Sequence, residues 1–397
     1  MSEYCRDFAK VANRNHFSGL SAVANSSRSV LLGLCSVFFG LFSVGALAAP
    51  GADAASTQVS ASNCLRFENT QPLCVFSNPE DLAVLPDNKV LIVSEYGDLY
   101  GARPGALVFF DIASQQRRSA FKGGDATKPA EYWGDDSCTE PPGAAFSPHG
   151  IDLAQRSDGR WQLLVVQHGG RESVEFFEVK GTGDELKLVW RGCTVAPENA
   201  KLNAVAAGTS EAFFTTKMLS TNSSWQSGGG DPNAPTGLVY RWNKRSGFEP
   251  VAGTEGVMPN GIAAASDGKA VYVVYSGENA LKKIDVETGA VLASAPLRSG
   301  DNVKWSADGS TLLASSFVGL IDSGAFARCM APDVELCPIA FAIVELDPET
   351  LATAILFEKP GAPMGAGTVG LKVDSMLFIG SFSGNRILQV DLSKPAK

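Results

Sequence analysis

Asn260-Gly261-Ile262-Ala263-Ala264-Ala265-Ser266-Asp267-Gly268-Lys269-Ala270-Val271-Tyr272-Val273-Val274 reads as a short apolar strand, a turn and a second apolar strand. Asp-Gly between two such runs is a strong hairpin signal, because tight hairpin turns need backbone angles that these residues adopt at little cost. The same phrase recurs. Glu80-Asp81-Leu82-Ala83-Val84 leads through Asp87-Asn88 to residues 90–93. His149-Gly150-Ile151-Asp152-Leu153 leads through Asp158-Gly159 to residues 163–166. Asn203-Ala204-Val205-Ala206-Ala207 leads to 212–216. Asp301-Asn302-Val303-Lys304-Trp305 leads through Asp308-Gly309 to 311–315, and Thr368-Val369-Gly370-Leu371 to 376–380. Several units carry a third strand, as at 280–286 and 385–391.

Unit starts at 80, 149, 203, 260, 301 and 368 give six copies of one multi-stranded unit. Such a repeat predicts propeller blades, with the longer steps explained by loop insertions. No stretch after residue 48 sustains a helical period between turn signals. The expected fold is therefore all-β, a single six-bladed β-propeller over 63–397, with a metal in its central tunnel. Two segments read as insertions: 100–142, rich in charge and glycine, and 220–237, which contains Ser227-Gly228-Gly229-Gly230-Asp231-Pro232.

Residues 1–48 differ in character. Arg6, Lys10, Arg14 and Arg28 precede an apolar run from Val30 to Leu47 that ends in Ala46-Leu47-Ala48-Ala49-Pro50. That is the pattern of an export signal cleaved between Ala48 and Ala49, followed by a flexible segment over 49–62. An uncleaved anchor is the alternative, since the run is nearly long enough to span a membrane. The expected destination is the periplasm or the exterior. The chain carries a net charge of −9, and losing 1–48 makes it more acidic. An acidic chain is a poor nucleic-acid ligand and suits a cation site. Six of the eight cysteines lie beyond residue 48. An even number in an exported chain predicts disulfides. Short loops favour Cys64–Cys74 and Cys329–Cys337, leaving Cys138–Cys193.

Only three histidines occur, and two lie outside the signal: His149, and His168 within Val165-Val166-Gln167-His168-Gly169. Each taken singly reads as well as a buried or turn residue. Together they form a candidate acid/base pair, because imidazole exchanges a proton near neutral pH. In a propeller the innermost strands line the tunnel, so residues in equivalent repeat positions converge at one end. The converging set is Glu80, His149, Asn203, Asn260 and Asp301-Asn302. Unpaired buried carboxylates and amides are costly, and a cation would pair them. Glu80, Asn203, Asn260, Asp301 and Asn302 offer oxygens only, which matches calcium and not zinc.

These motifs, in this order and phase, resemble the serum paraoxonase/arylesterase family and the related gluconolactonase/senescence-marker propellers, over about residues 63 to 392. The resemblance implies that Glu80, Asn203, Asn260, Asp301 and Asn302 hold a catalytic calcium, that His149 is a general base and that His168 is its partner. Three departures stand out. Paraoxonases carry a second, structural calcium with ligands matching Asp81 and the position of Ala204, and alanine supplies no side-chain oxygen. Gln167 replaces the usual asparagine. The C-terminus lacks the cysteine that closes the paraoxonase ring, so closure must come from strand pairing with residues near 64–76.

The function expected from this reading is calcium-dependent hydrolysis of small lactones or aryl esters by a monomer. Water activated by His149 would attack a carbonyl polarised by the metal. Two alternatives are a sugar-acid lactonase of the gluconolactonase kind and a non-catalytic ligand-binding propeller. A serine-triad hydrolase is disfavoured: Gly380-Ser381-Phe382-Ser383-Gly384 places phenylalanine where the nucleophile would stand.

Overall fold

The second strands of the repeat are apolar on consecutive residues, and the structure shows why. In blade 2, Leu163 and Val165 pack against blade 1, whereas Leu164 and Val166 pack against blade 3. Each sheet is buried on both faces by its neighbours, so alternation gives way to continuous apolar runs. Six hydrophobic clusters result, one in each gap between adjacent blades.

The protein is described by a computed structural model, which covers residues 64–98, 101–220, 234–318, 323–331 and 334–394. The signal at 1–48, the segment at 49–62 and the glycine-rich stretch within 220–237 fall wholly or largely outside the described residues. Six four-stranded antiparallel sheets make six blades. Their innermost strands are Pro79–Val84, Pro148–Gln155, Ala200–Ala207, Pro259–Ala264, Gly300–Trp305 and Gly367–Val373. Each of these packs against the next, and the sixth returns to the first, closing the ring. The expected six-bladed β-propeller is the observed fold.

Closure is by strand pairing. Thr70–Leu73 joins Ile387–Asp391 antiparallel, with Thr70 opposite Val390 and Leu73 opposite Ile387. It thereby supplies the outermost strand of blade 6, as the missing C-terminal cysteine implied.

The structure corrects the reading of 100–142 as one insertion. Ala106–Asp111 and Arg117–Lys122 within it are the third and fourth strands of blade 1. The true connection begins after Lys122. Part of it runs along the outer strand of blade 2, where Trp133 and Asp135 N–H groups bond the Arg191 and Cys193 carbonyls. The Trp133 ring lies under the guanidinium groups of Arg156 and Arg160, at 4.2 and 5.0 Å. The disulfides are Cys64–Cys74, Cys138–Cys193 and Cys329–Cys337, as the spacing favoured. One short helix, Ser323–Cys329, leads into the third. Among the described residues no helix is long and apolar enough to cross a membrane.

Candidate active site

Every innermost strand carries a β-bulge at the same level of the tunnel. In blade 2 the pairing jumps from Pro148–Gln167 to Ile151–Val165, leaving His149 and Gly150 opposite one residue. The same two-against-one step holds Asn203-Ala204, Asn260-Gly261 and Asp301-Asn302, and single-residue versions hold Glu80 and Thr368. A bulge bends its strand and re-aims side chains. All the tunnel-lining residues read from the repeat, His149 included, are bulge residues. The glycines of His149-Gly150 and Asn260-Gly261 follow from crowding. A Cβ on Gly150 would lie 2.6 Å from the Asn203 carbonyl oxygen, and one on Gly261 would lie 2.5 Å from that of Asp301.

Glu80, Asn203, Asn260, Asp301 and Asn302 are all buried. Asn302 Nδ2 donates to Glu80 Oε1 at 2.6 Å, and Asn260 hydrogen-bonds the Asp301 carboxylate. Three oxygens of the set have no partner: Glu80 Oε2, Asn203 Oδ1 and Asn260 Oδ1. A buried acceptor left unpaired costs about 1–3 kcal/mol. Three such acceptors on bulges of the inner strands would suit a shared positive ligand. Burial pushes the Glu80 carboxyl well above its ordinary range, with Asp81 and Asp301 adding to the effect. Burial likewise pushes Asp301 up to about 7. Two carboxylates and three carboxamides form a hard oxygen donor set that fits calcium. Among the described residues no group of three or more His, Cys, Asp or Glu side chains is arranged to hold a metal.

The histidines meet beside this cluster. His149 Nδ1 lies 2.9 Å from His168 Nε2, and His149 Nε2 lies 3.8 Å from Glu80 Oε1. His168 sits just past the strand Trp161–Gln167, and its N–H bonds the Ser147 carbonyl, which brings it back beside His149. Burial, with His168 adding, holds the His149 imidazole well below 6.5, so it is neutral at pH 7. The Tyr96 ring packs against His149, tilted by 35°, with centroids 4.6 Å apart. A cavity of about 400 Å³ is lined in part by Tyr96, Gly105, Arg117 and Ala144.

Glu172 was not foreseen, and it completes the arrangement. Its Oε1 lies 2.9 Å from His168 Nδ1 and accepts from the Leu202 N–H at 2.8 Å, while its Oε2 accepts from Lys201 Nζ at 3.0 Å. Burial pushes this carboxyl up, but His168, Lys201 and the Leu202 N–H outweigh it and hold it below its usual value. A carboxylate only accepts, so His168 must carry its proton on Nδ1. His168 Nε2 then accepts from His149 Nδ1–H, which leaves the lone pair of His149 Nε2 facing the oxygen cluster. The available signal in the sequence was the His168-x-x-x-Glu172 spacing across a tight turn.

Asp81, which the resemblance implied for a second calcium, belongs to a different level. Its oxygens accept from Leu82 and Ile151 N–H groups and from Lys304.

No protein-family model and no curated protein sequence matches the chain. Solved structures do. A luciferin-regenerating enzyme shares 12% identity over 82% of this chain and 95% of its own, with a TM-score of 0.46. A protein provisionally named a gluconolactonase shares 13% over 82% and 93%, with a TM-score of 0.45. A protein of unknown function from Bacteroides thetaiotaomicron shares 10% over 83% and 73%, with a TM-score of 0.49. None reaches 0.5, so the fold rests on the strand pairing above and no residue role is taken from these proteins.

Proposed function

We propose that this chain is a calcium-dependent hydrolase of lactones or aryl esters. One observation carries the reading: Glu172, His168 and His149 are hydrogen-bonded in series, and His149 Nε2 faces Glu80 at 3.8 Å, beside the buried oxygens Glu80 Oε2, Asn203 Oδ1 and Asn260 Oδ1 that lack partners.

Glu80, Asn203, Asn260, Asp301 and Asn302 would hold the ion. When bound, calcium supplies a fixed positive charge that stabilises negative charge developing on a carbonyl oxygen. The chain's own groups supply the proton chemistry. His149 Nε2 takes a proton from water as that water attacks the ester carbon. The new imidazolium passes its Nδ1 proton to His168 Nε2, and Glu172 stabilises the cation that forms on His168. On collapse to the acid and alcohol, the proton returns by the same route to the leaving oxygen. A general base of this kind contributes about 10²–10⁴ in rate. The neutral state of His149, held by burial, keeps the base available at pH 7. Three disulfides favour an oxidising compartment and so support export.

The test is a panel of aliphatic lactones, aldonolactones and aryl acetates, assayed with calcium and with EDTA. EDTA-sensitive turnover of aliphatic lactones or aryl acetates supports the proposal. Turnover confined to aldonolactones moves the assignment to a sugar-acid lactonase. No turnover of any class, with calcium only raising the melting temperature, makes the protein a binding propeller.

A further inference from the structure

Lys304 lies on the innermost strand of blade 5, two residues beyond Asn302, and only 9% of it is exposed. In a ring of six, blade 5 faces blade 2 across the axis. The side chain spans that gap. Its Nζ donates to Asp81 Oδ2 of blade 1 at 2.9 Å and to the Ile151 carbonyl of blade 2. Asp81 is fully buried and is otherwise bonded by the Leu82 and Ile151 N–H groups. A second carboxylate, Asp152, attracts the same ammonium and accepts from the Ala207 N–H of blade 3. Asp81 follows Glu80 by one residue, Ile151 follows His149 by two, and Lys304 follows Asn302 by two. On three blades, therefore, this group lies one step along the strand from the oxygen cluster, in the same direction.

We infer that the Lys304 ammonium is the tunnel's built-in second cation, so that the chain takes one divalent ion at the Glu80 level and none at the Asp81 level. A carboxylate oxygen and a carbonyl oxygen are the ligands a hard ion would choose, and here they hold an ammonium instead. A buried carboxylate without a counter-charge is strongly destabilising, so something positive must stand there. A covalently attached cation meets that need without depending on ion concentration. Chelation should then empty the upper level alone and leave the lower half of the tunnel tied across blades 1, 2 and 5. The count of one ion rests on the cation cluster proposed above; the occupancy of the lower level does not.

The experiment compares the full chain with K304S, which vacates the position, and K304M, which fills it without charge. Bound calcium per chain is measured by elemental analysis after equilibrium dialysis, and melting is followed in calcium and in EDTA. The expected result is one ion in the wild type, one more in K304S than in the wild type, and no gain in K304M. The calcium-induced rise in melting temperature should be larger in K304S than in the wild type. Two ions in the wild type, or no gain in K304S, would overturn the inference. Zero in the wild type with one in K304S would refute the upper site and uphold Lys304. Should K304S not fold, the EDTA melting temperatures decide. K304M should lie below the wild type, and adding D81N should restore much of the loss; no restoration would show that Lys304 is not the counter-charge of Asp81.

Discussion

Glu172 Oε1 sits 2.9 Å from His168 Nδ1, and a carboxylate there favours the His168 tautomer that carries its proton on Nδ1. Removing the carboxylate frees His168 to adopt the other tautomer, which turns the shared hydrogen bond around and blocks the lone pair of His149. Glu172→Ala is expected to lower kcat about tenfold or more, up to the about 10²–10⁴ of losing the base itself. KM should change little, and Glu172→Asp should restore part of kcat. A proportional loss of folded protein, with kcat per folded molecule unchanged, would show that Glu172 serves only the anchoring of Lys201 and Leu202.

His149→Gln keeps a hydrogen-bonding side chain of similar reach but removes the base. Turnover is expected to fall by about 10²–10⁴. The calcium-dependent rise in melting temperature should persist, because His149 is not one of the five oxygen donors. Full activity on every ester tested would end its assignment as the base.

Asn203 Oδ1 is buried without a partner, and its amide makes only a 3.5 Å contact to Met218 Sδ. Replacing it with leucine removes a stranded acceptor and one proposed ion ligand together. In EDTA, Asn203→Leu should melt no lower than the wild type, since an unpaired acceptor worth about 1–3 kcal/mol has gone. In calcium it should show a smaller rise. A lower melting temperature in EDTA with an undiminished calcium rise would contradict the role given to Asn203.

Burial holds Asp301 at about 7 in the cation-free protein, against an ordinary value of 3.8. The folded state therefore keeps a proton that the unfolded chain has released above about pH 4. This contribution to stability is full below 3.8 and is lost as pH rises through 7. Calcium must displace that proton. Calcium affinity should accordingly rise with pH through 7, with proton release visible as a buffer-dependent heat of binding, to which the Glu80 carboxyl, also pushed up by burial, contributes. Asp301→Asn should reduce that release and leave the share of Glu80. A flat affinity between pH 5 and 7 would count against Asp301 as a ligand.

The oxygen cluster was legible because it rides on the repeat. Glu80, Asn203, Asn260 and Asp301-Asn302 occupy equivalent bulges, so their phase alone brings them together. The fourth strands were not legible. Thr353–Lys359 and Val291–Pro296 are mostly exposed or half-buried, and an edge strand facing solvent keeps little apolar pattern. Glu172 escaped because it stands in a turn that no other repeat shares. Lys304 escaped for a different reason: it reads as an ordinary polar position between Val303 and Trp305. Its spacing of two from Asn302 on an inner strand is what marks it.

The pairing of Thr70–Leu73 with Ile387–Asp391 also sets a schedule. The earlier strand is synthesised more than 300 residues before its partner, a wait on the order of tens of seconds at about 5–20 residues per second. A product cut short of residue 387 lacks the strand on which Thr70–Leu73 pairs, so blade 6 would be left with two of its four strands. Blade 6 is therefore the blade whose completion must wait for the last-made strand.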